Sequence, residues 1–344
     1  MKQRLARYMP ILEWVRHYDR AAAAKDSLAA LIVTLMLIPQ SLAYAMLAGL
    51  PPVTGLYASM LPLIAYTLFG TSRTLAVGPV AVVSLMTAAA LGPLFAPGSA
   101  EYAGAAMLLA LLSGAVLLLM AMLRLGFLAN FLSHPVISGF ISASGILIAL
   151  GQLKHILGIS TGGENAVELV WGLLGALSQT HLPTFIVGTT SLLFLYLVRS
   201  RLSTWLQRLG MSPHIAGTLS KIGPVAALLL AIAAVSVFQL ADAGVRVVGA
   251  VPGGLPSMSL PTLDMTLALQ LLPAAVLISL VGFVESVSVA QTLAAKRRER
   301  IEPNQELIAL GGANVAAALS GGFPVTGGFA RSVVNFDAGA QTPL

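Results

Sequence analysis

Apolar runs recur along the chain at residues 27–45, 52–69, 79–92, 103–123, 135–153, 182–198, 222–240, 266–290, 305–319 and 327–337, with polar or Gly- and Pro-rich connections between them. A bilayer core is about 30 Å thick and a helix rises ~1.5 Å per residue. The runs therefore predict an all-α polytopic membrane protein. Residues 1–26 carry charges throughout and read as a cytoplasmic lead-in rather than a cleavable signal, because they lack an apolar centre.

The third and tenth runs are too short to span as ordinary helices. The third is entered through TLAVGPVAVVSLM and the tenth through LSGGFPVTGGFARS. Each reads as a short extended strand stopped at proline, followed by a half-helix that starts in mid-membrane. Broken backbone at that depth is tolerated only where it is buried in protein or lines a cavity. An offset of 245 residues relates Pro79 to Pro324 and Val80 to Val325. The same offset relates Gln40 to Glu285 and Ser41 to Ser286. It points to an inverted repeat, with residues 27–264 as a first repeat of seven spans and 265–344 as three spans of a second. In such a plan two half-helix N-termini face each other near the midplane. Their free N–H groups and positive dipole ends favour a negative substrate.

Composition agrees with the pattern: 57% of residues are hydrophobic, only 9% are charged, and mean hydropathy is +0.88. Soluble domains carry about 25% charged residues. The net charge of +6 sits in short clusters on alternate connections, among them Arg199, Arg201, Arg208 and Lys221, and Lys296 to Arg300. The stretches near 100, near 165 and over 241–264 hold one strong cation, Arg246. Basic connections face the cytoplasm, which places the N-terminus there and reads the charge as membrane orientation rather than nucleic-acid binding. The absence of cysteine excludes thiolate metal sites and thiol nucleophiles. The five histidines show no HExxH spacing, and no Gly-x4-Gly-Lys loop is present. The sequence therefore calls for no cofactor, no metal and no enzymatic centre.

Arg331 and Glu285 are the strong charges placed deep in the apolar runs, and intramembrane charge points to function. One arrangement makes Arg331 a fixed positive contribution to an anion site and Glu285 a coupling group for a proton or a cation. The other gives them no ligand role, either pairing them with each other or letting Arg331 reach solvent. Gln40 and Tyr44, one helical turn apart, are candidates to face the same pocket. Thr326 is placed either to cap the tenth half-helix or to donate to a ligand.

Leu37 to Met86 (LIPQSLAYAMLAGLPPVTGLYASMLPLIAYTLFGTSRTLAVGPVAVVSLM), HPVISGFISASGILIALGQLKHILGI and SGGFPVTGGFARSVVN resemble the sulfate permease family of anion transporters in their usual order. The resemblance covers essentially the whole chain. It implies an inverted repeat of seven plus seven segments with a site-bearing core and a gate. It further implies an anion pocket formed by Gln40, Tyr44, Gly78, Pro79, Val80, Ala81, Val325, Thr326, Ala330 and Arg331, with Glu285 coupling transport to H+ or Na+. It implies an inorganic anion substrate, sulfate first, with bicarbonate, chloride or a dicarboxylate as alternatives. It also implies the lipid bilayer of a bacterial inner membrane and a possible homodimer. Thr54 stands where the family signature commonly has Tyr, and Ala330 lacks a hydroxyl that some members carry. The family pattern continues past GAQTPL with four more spans and a STAS domain. The chain is accordingly expected to be ten of fourteen segments, with an anion-binding fragment as the alternative to an active transporter.

Overall fold

In lipid, large apolar side chains gain nothing by turning inward, so helices pack through their small residues. The first long helix shows this on its two faces. Ala29, Ser41 and Ala45 are buried, whereas Leu28, Leu31, Ile38 and Met46 are exposed. The computed structural model describes residues 9–131, 134–161, 166–221, 223–247, 253–256 and 258–344.

In chain order the main elements are α1 (Arg20–Leu47), α2 (Pro52–Tyr57), α3 (Leu61–Phe69), β1 (Val77–Gly78), α4 (Ala81–Leu91) and α5 (Ala100–Met122). There follow α6 (His134–Leu157), α7 (Ala166–Ala176), α8 (Leu182–Leu197) and α9 (Gly223–Val237). The last are α10 (Met265–Arg297), α11 (Pro303–Leu319), β2 (Thr326–Gly327) and α12 (Phe329–Ala338). Each apolar run of the sequence contains a helix, and the fold is that of an all-α membrane protein. Among the described residues, five helical stretches are long and apolar enough to cross a membrane by length and composition: Arg20–Leu47, Pro52–Phe69, Ala100–Met122, Leu182–Arg208 and Met265–Arg297. The connection expected near residue 165 is instead helix α7. Its residues AVELVWGLLGA lack an internal proline, and only Glu168 interrupts the apolar pattern. The neighbouring residues 162–165 lie outside those described.

Helix ends follow local chemistry. Asp19 accepts from the Ala22 amide at 2.7 Å to start α1, and Asp264 accepts from Thr266 and Leu267 to start α10. Ser99 caps α5, and the Tyr102 hydroxyl one turn later donates to Ala48 O at the end of α1. Gly339 closes α12 with φ of 93°, a left-handed conformation that glycine adopts without strain.

The chain divides into two compact units, one of residues 1–133 with 250–344, the other of residues 134–249. The first holds both strands and both half-helices. Its centre is the crossing of α5 and α11, where the backbones approach closely. A Cβ on Gly114 would lie 2.9 Å from Gly311 O, and one on Gly311 3.2 Å from Gly114 O. Gly114→Val is expected to destabilise the protein by about 1–3 kcal/mol, the usual cost of overpacking. Thermal unfolding of the purified protein checks this, and an unchanged midpoint would contradict the packing described. Inside the second unit, His181 ties α8 to the chain around it. Its backbone N–H donates to Leu157 O, and its ring meets Thr184 Oγ1 and Ala243 O.

The two strands pair antiparallel, Val77 opposite Gly327 and Gly78 opposite Thr326. The offset between the copies is 245 residues at the starts of α1 and α10, grows to 251 at Pro52 and Pro303, and is 248 where the half-helices begin. Helix α10 is longer than α1, 33 residues against 28, so an ungapped alignment slips after it. Pro79 follows β1, whereas Pro324 precedes β2. The expected equivalence of the two prolines therefore fails. The N-caps Val80 and Gly328 correspond instead.

Candidate functional site

Helix side chains tilt toward the helix N-terminus. Arg331 is the third residue of α12, so its side chain runs back past the start of the helix into the space before it. There the guanidinium lies against backbone that has no side chains. A Cβ on Gly328 would sit 2.9 Å from Nη2, and one on Gly78 would sit 3.4 Å from both Nη atoms. Arg331 is thus bracketed by residues preceding each half-helix. It is 2% exposed, and among the described residues neither Nη has a hydrogen-bond partner.

Tyr44 on α1 and Glu285 on α10 both interact electrostatically with Arg331. Glu285 does not pair with it, and its own Oε2 is buried without a hydrogen-bond partner among the described residues. Of the two arrangements open from sequence, the closed ion pair is the one the geometry does not show. Gln40 is half-buried on α1, one turn before Tyr44, and no hydrogen bond ties it to Arg331. Gly78, Pro79, Val80 and Ala81 are all buried where β1 runs into α4. The opening amides of α4 and α12 have no intrahelical acceptors, and neither helix has a side-chain cap.

Two expected ligand residues have other work. Thr326 does not cap α12. Its hydroxyl donates to Gly282 O at 2.7 Å and meets Ser286 Oγ at 2.6 Å, because Gly282 on α10 lets β2 approach closely. The Val325 backbone is matched on both sides by the Asn314 side chain, which accepts from its N–H at 3.0 Å and donates to its C=O at 2.9 Å. Both residues are scaffold for β2. Ala330, in the first turn of α12, is exposed.

Sequence reading overlooked the groups that hold the strands in place. Ser286 receives the Gly327 N–H at 2.8 Å, Ser332 receives that of Ala76 at 2.9 Å, and Asn335 donates to Thr74 O at 3.2 Å. Two buried acids also went unnoticed. Asp26, 3% exposed, accepts from the Gln341 amide and from the Thr342 hydroxyl. Glu306 is fully buried against α3 and the residues after it. The available signal was polar residues inside otherwise apolar helices, Asn314 above all. Asp26 and Glu306 sit near helix ends, where a charge looks like a membrane boundary.

The sulfate permease family profile matches residues 24–344. The chain belongs to the sulfate permease family. Among curated relatives it is 39% identical over 337 residues to the chloroplastic sulfate transporter 4.1 of Arabidopsis thaliana, covering 97% of this chain and 48% of that one. It is 37% identical over 339 residues to a probable sulfate transporter of Mycobacterium tuberculosis, covering 98% and 58%. It is 33% identical over 357 residues to a sodium-independent sulfate anion transporter of Bos taurus, again covering 98% and 58%. The chain spans about half the length of the curated relatives it matches. Among solved structures, the murine Solute Carrier 26 family member A9 anion transporter in its inward-facing state aligns with a TM-score of 0.80 at 23% identity, over all of this chain and 58% of that one. The transmembrane domain of a cyanobacterial bicarbonate transporter aligns at 0.75 and 21% identity, over 95% and 80%. These structural likenesses concern the fold. The sulfate permease family is one of transporters rather than enzymes, and the apolar helices of this member make it a multi-pass membrane protein.

Proposed function

We propose that this sulfate permease family member carries out secondary active transport of an inorganic anion, sulfate first, by alternating access with proton or sodium coupling. The observation that carries the reading is the Arg331 guanidinium, buried between the entrances of two half-helices and given no acceptor at either Nη. A buried charge is costly unless matched. A guanidinium presents donors in a fixed fork that fits an oxyanion, and the N-terminal amides of α4 and α12 add favourable dipole ends. Gly78, Pro79, Val80, Ala81, Ala330 and Tyr44 complete the pocket, with Gln40 at its edge, and Glu285 serves as the coupling group. Sulfate ranks before bicarbonate, chloride and dicarboxylates because the curated relatives named above are sulfate transporters. The protein works in a bacterial inner membrane, N-terminus in the cytoplasm, and pairs as a homodimer.

The test is uptake of radiolabelled sulfate into proteoliposomes with and without an inward proton or sodium gradient. Uptake above the equilibrium level with a gradient, and competition by excess unlabelled sulfate, is the expected outcome. Uptake that never exceeds equilibrium would favour a passive conductor. Sulfate uptake absent while bicarbonate or succinate is accumulated would keep the anion site and reassign the substrate. In parallel, sulfate at 100 times its Kd is expected to stabilise the purified protein by about 2.7 kcal/mol through linkage.

A further inference from the structure

Glu306 is a buried carboxylate of the first unit, left unused by the proposed transport chemistry. It lies in the opening turns of α11, with none of its surface exposed. Four donors reach it: the Tyr66 hydroxyl at 2.7 Å, the Thr71 amide at 2.8 Å, the Thr71 hydroxyl at 2.5 Å and the Ser72 amide at 3.1 Å. Every contact is donated to the carboxylate, whose oxygens accept. The donors come from the end of α3 and from the turn that leads into β1.

From that turn a run of hydrogen bonds continues to the anion site. Ser72 Oγ accepts from the Leu75 amide at 3.2 Å. The Ala76 amide donates to Ser332 Oγ, and the Gly328 amide donates back to Ala76 O at 3.0 Å. Two residues beyond Ala76, Gly78 meets the Arg331 guanidinium. The carboxylate thus fixes the base of a six-residue lead, Arg73 to Gly78, whose far end brackets the buried cation. Tyr66 is itself 1% exposed, so the anchor lies in protein interior, where an unmet donor is costly.

We propose that Glu306 is a positioning residue for the anion site: by gathering Tyr66, Thr71 and Ser72 it sets where β1 meets β2, and so how Gly78 and Gly328 frame Arg331. It touches no substrate. The inference rests on the reading that the anion binds at Arg331.

The experiment compares the full chain with Glu306→Ala, Glu306→Gln and Thr71→Val, each in lipid nanodiscs. Two quantities are read: amide hydrogen exchange and the Kd for sulfate. For Glu306→Ala, exchange is expected to rise about tenfold at residues 74–78 and also at 326–328, with the α11 interior still protected. The sulfate Kd is expected to rise about tenfold or more, as for loss of a buried hydrogen bond. Glu306→Gln keeps an oxygen for the Thr71 and Ser72 amides and is expected to restore both readouts to within about threefold. Thr71→Val, which removes one donor and leaves the carboxylate, is expected to fall between them, and it carries the test if Glu306→Ala does not fold. Exchange that rises only at 69–72 and 303–306, with an unchanged Kd, would overturn the proposal and leave Glu306 a local brace. A glutamine variant no better than alanine would overturn it too, since positioning by hydrogen bonds would then not be the cause. Sulfate failing to bind the unaltered chain would refute the anion reading instead. The exchange at 326–328 would still decide whether Glu306 sets the strand pair.

Discussion

Arg331→Met is expected to weaken sulfate binding at least 100-fold while making the sulfate-free protein more stable. The two effects share one origin. Arg331 is 2% exposed, and its Nη atoms have no acceptor among the described residues, so the fold bears the desolvation of a cation without the compensation of a pair. Charge-assisted hydrogen bonds contribute about 1.5–3 kcal/mol each, and losing two of them to a bound oxyanion exceeds 2.7 kcal/mol, or about a hundredfold. Methionine fills much of the same space with an apolar, flexible chain. Replacing buried charge with well-packed apolar groups is often stabilising by about 1–4 kcal/mol. Calorimetric titration with sulfate and thermal unfolding in its absence measure the two effects on the same sample. Lower stability with unchanged affinity would place the anion elsewhere. A loss of both would mean that Arg331 is structural.

The positions of the spanning helices were legible because membrane helices write themselves as uninterrupted apolar runs, and α1, α5 and α10 follow that rule closely. Helix α7 was not legible, since eleven residues after a Gly-rich stretch look like a connection when judged by length. The half-helices were foreseen from GPV and FPV, yet the prolines proved misleading as markers of equivalence. What defines each break is strand pairing, and Val77 finds Gly327 across 250 residues of chain. In the candidate site, Arg331 and Glu285 stood out as charges in apolar surroundings, and Gly78 was named with the motif around it. Gly328 escaped, since a glycine matters here only for what would collide with it. Thr326 and Val325 were assigned to the ligand because their partners Ser286, Gly282 and Asn314 lie on other helices. A local pattern carries no trace of such pairings.

Both strands are anchored by side chains from residues 286–335. The residues leading into β1 are held by Glu306 at Ser72, Asn335 at Thr74 and Ser332 at Ala76, whereas β2 and the residue before it are held by Ser286 and Asn314. The serine equivalent to Ser286, Ser41 on α1, instead meets Ser59 Oγ at 2.7 Å. Polar anchoring of the strands thus comes from the C-terminal residues and not from their counterparts on α1. Residues of α10 to α12 carry most of the polar framework around Arg331, and Glu285 sits one residue from the serine that receives the Gly327 amide.

That adjacency gives Glu285→Gln a sharp expected outcome, which is loss of accumulation without loss of binding. Glutamine keeps the size of the side chain but neither takes up a proton nor attracts a sodium ion. With one coupling ion per anion, a tenfold electroneutral ion gradient supplies about 1.4 kcal/mol, enough for up to tenfold accumulation. In the variant the same gradient is expected to leave the inside-to-outside ratio near one, while exchange of internal for external sulfate continues. Coupling is reciprocal, so a cation that assists anion binding must itself be assisted by the anion. The sulfate Kd of the unaltered protein should therefore shift with proton or sodium concentration, and that of Glu285→Gln should not. The sign of the Kd change is also fixed. A carboxylate in electrostatic range of Arg331 opposes a bound anion, so its neutralisation should tighten sulfate binding in the absence of coupling ion. Proteoliposome accumulation, counterflow exchange and titration at several proton and sodium concentrations separate these effects. Continued gradient-driven accumulation by Glu285→Gln would remove Glu285 from the coupling step and leave it a buried neighbour of the anion site.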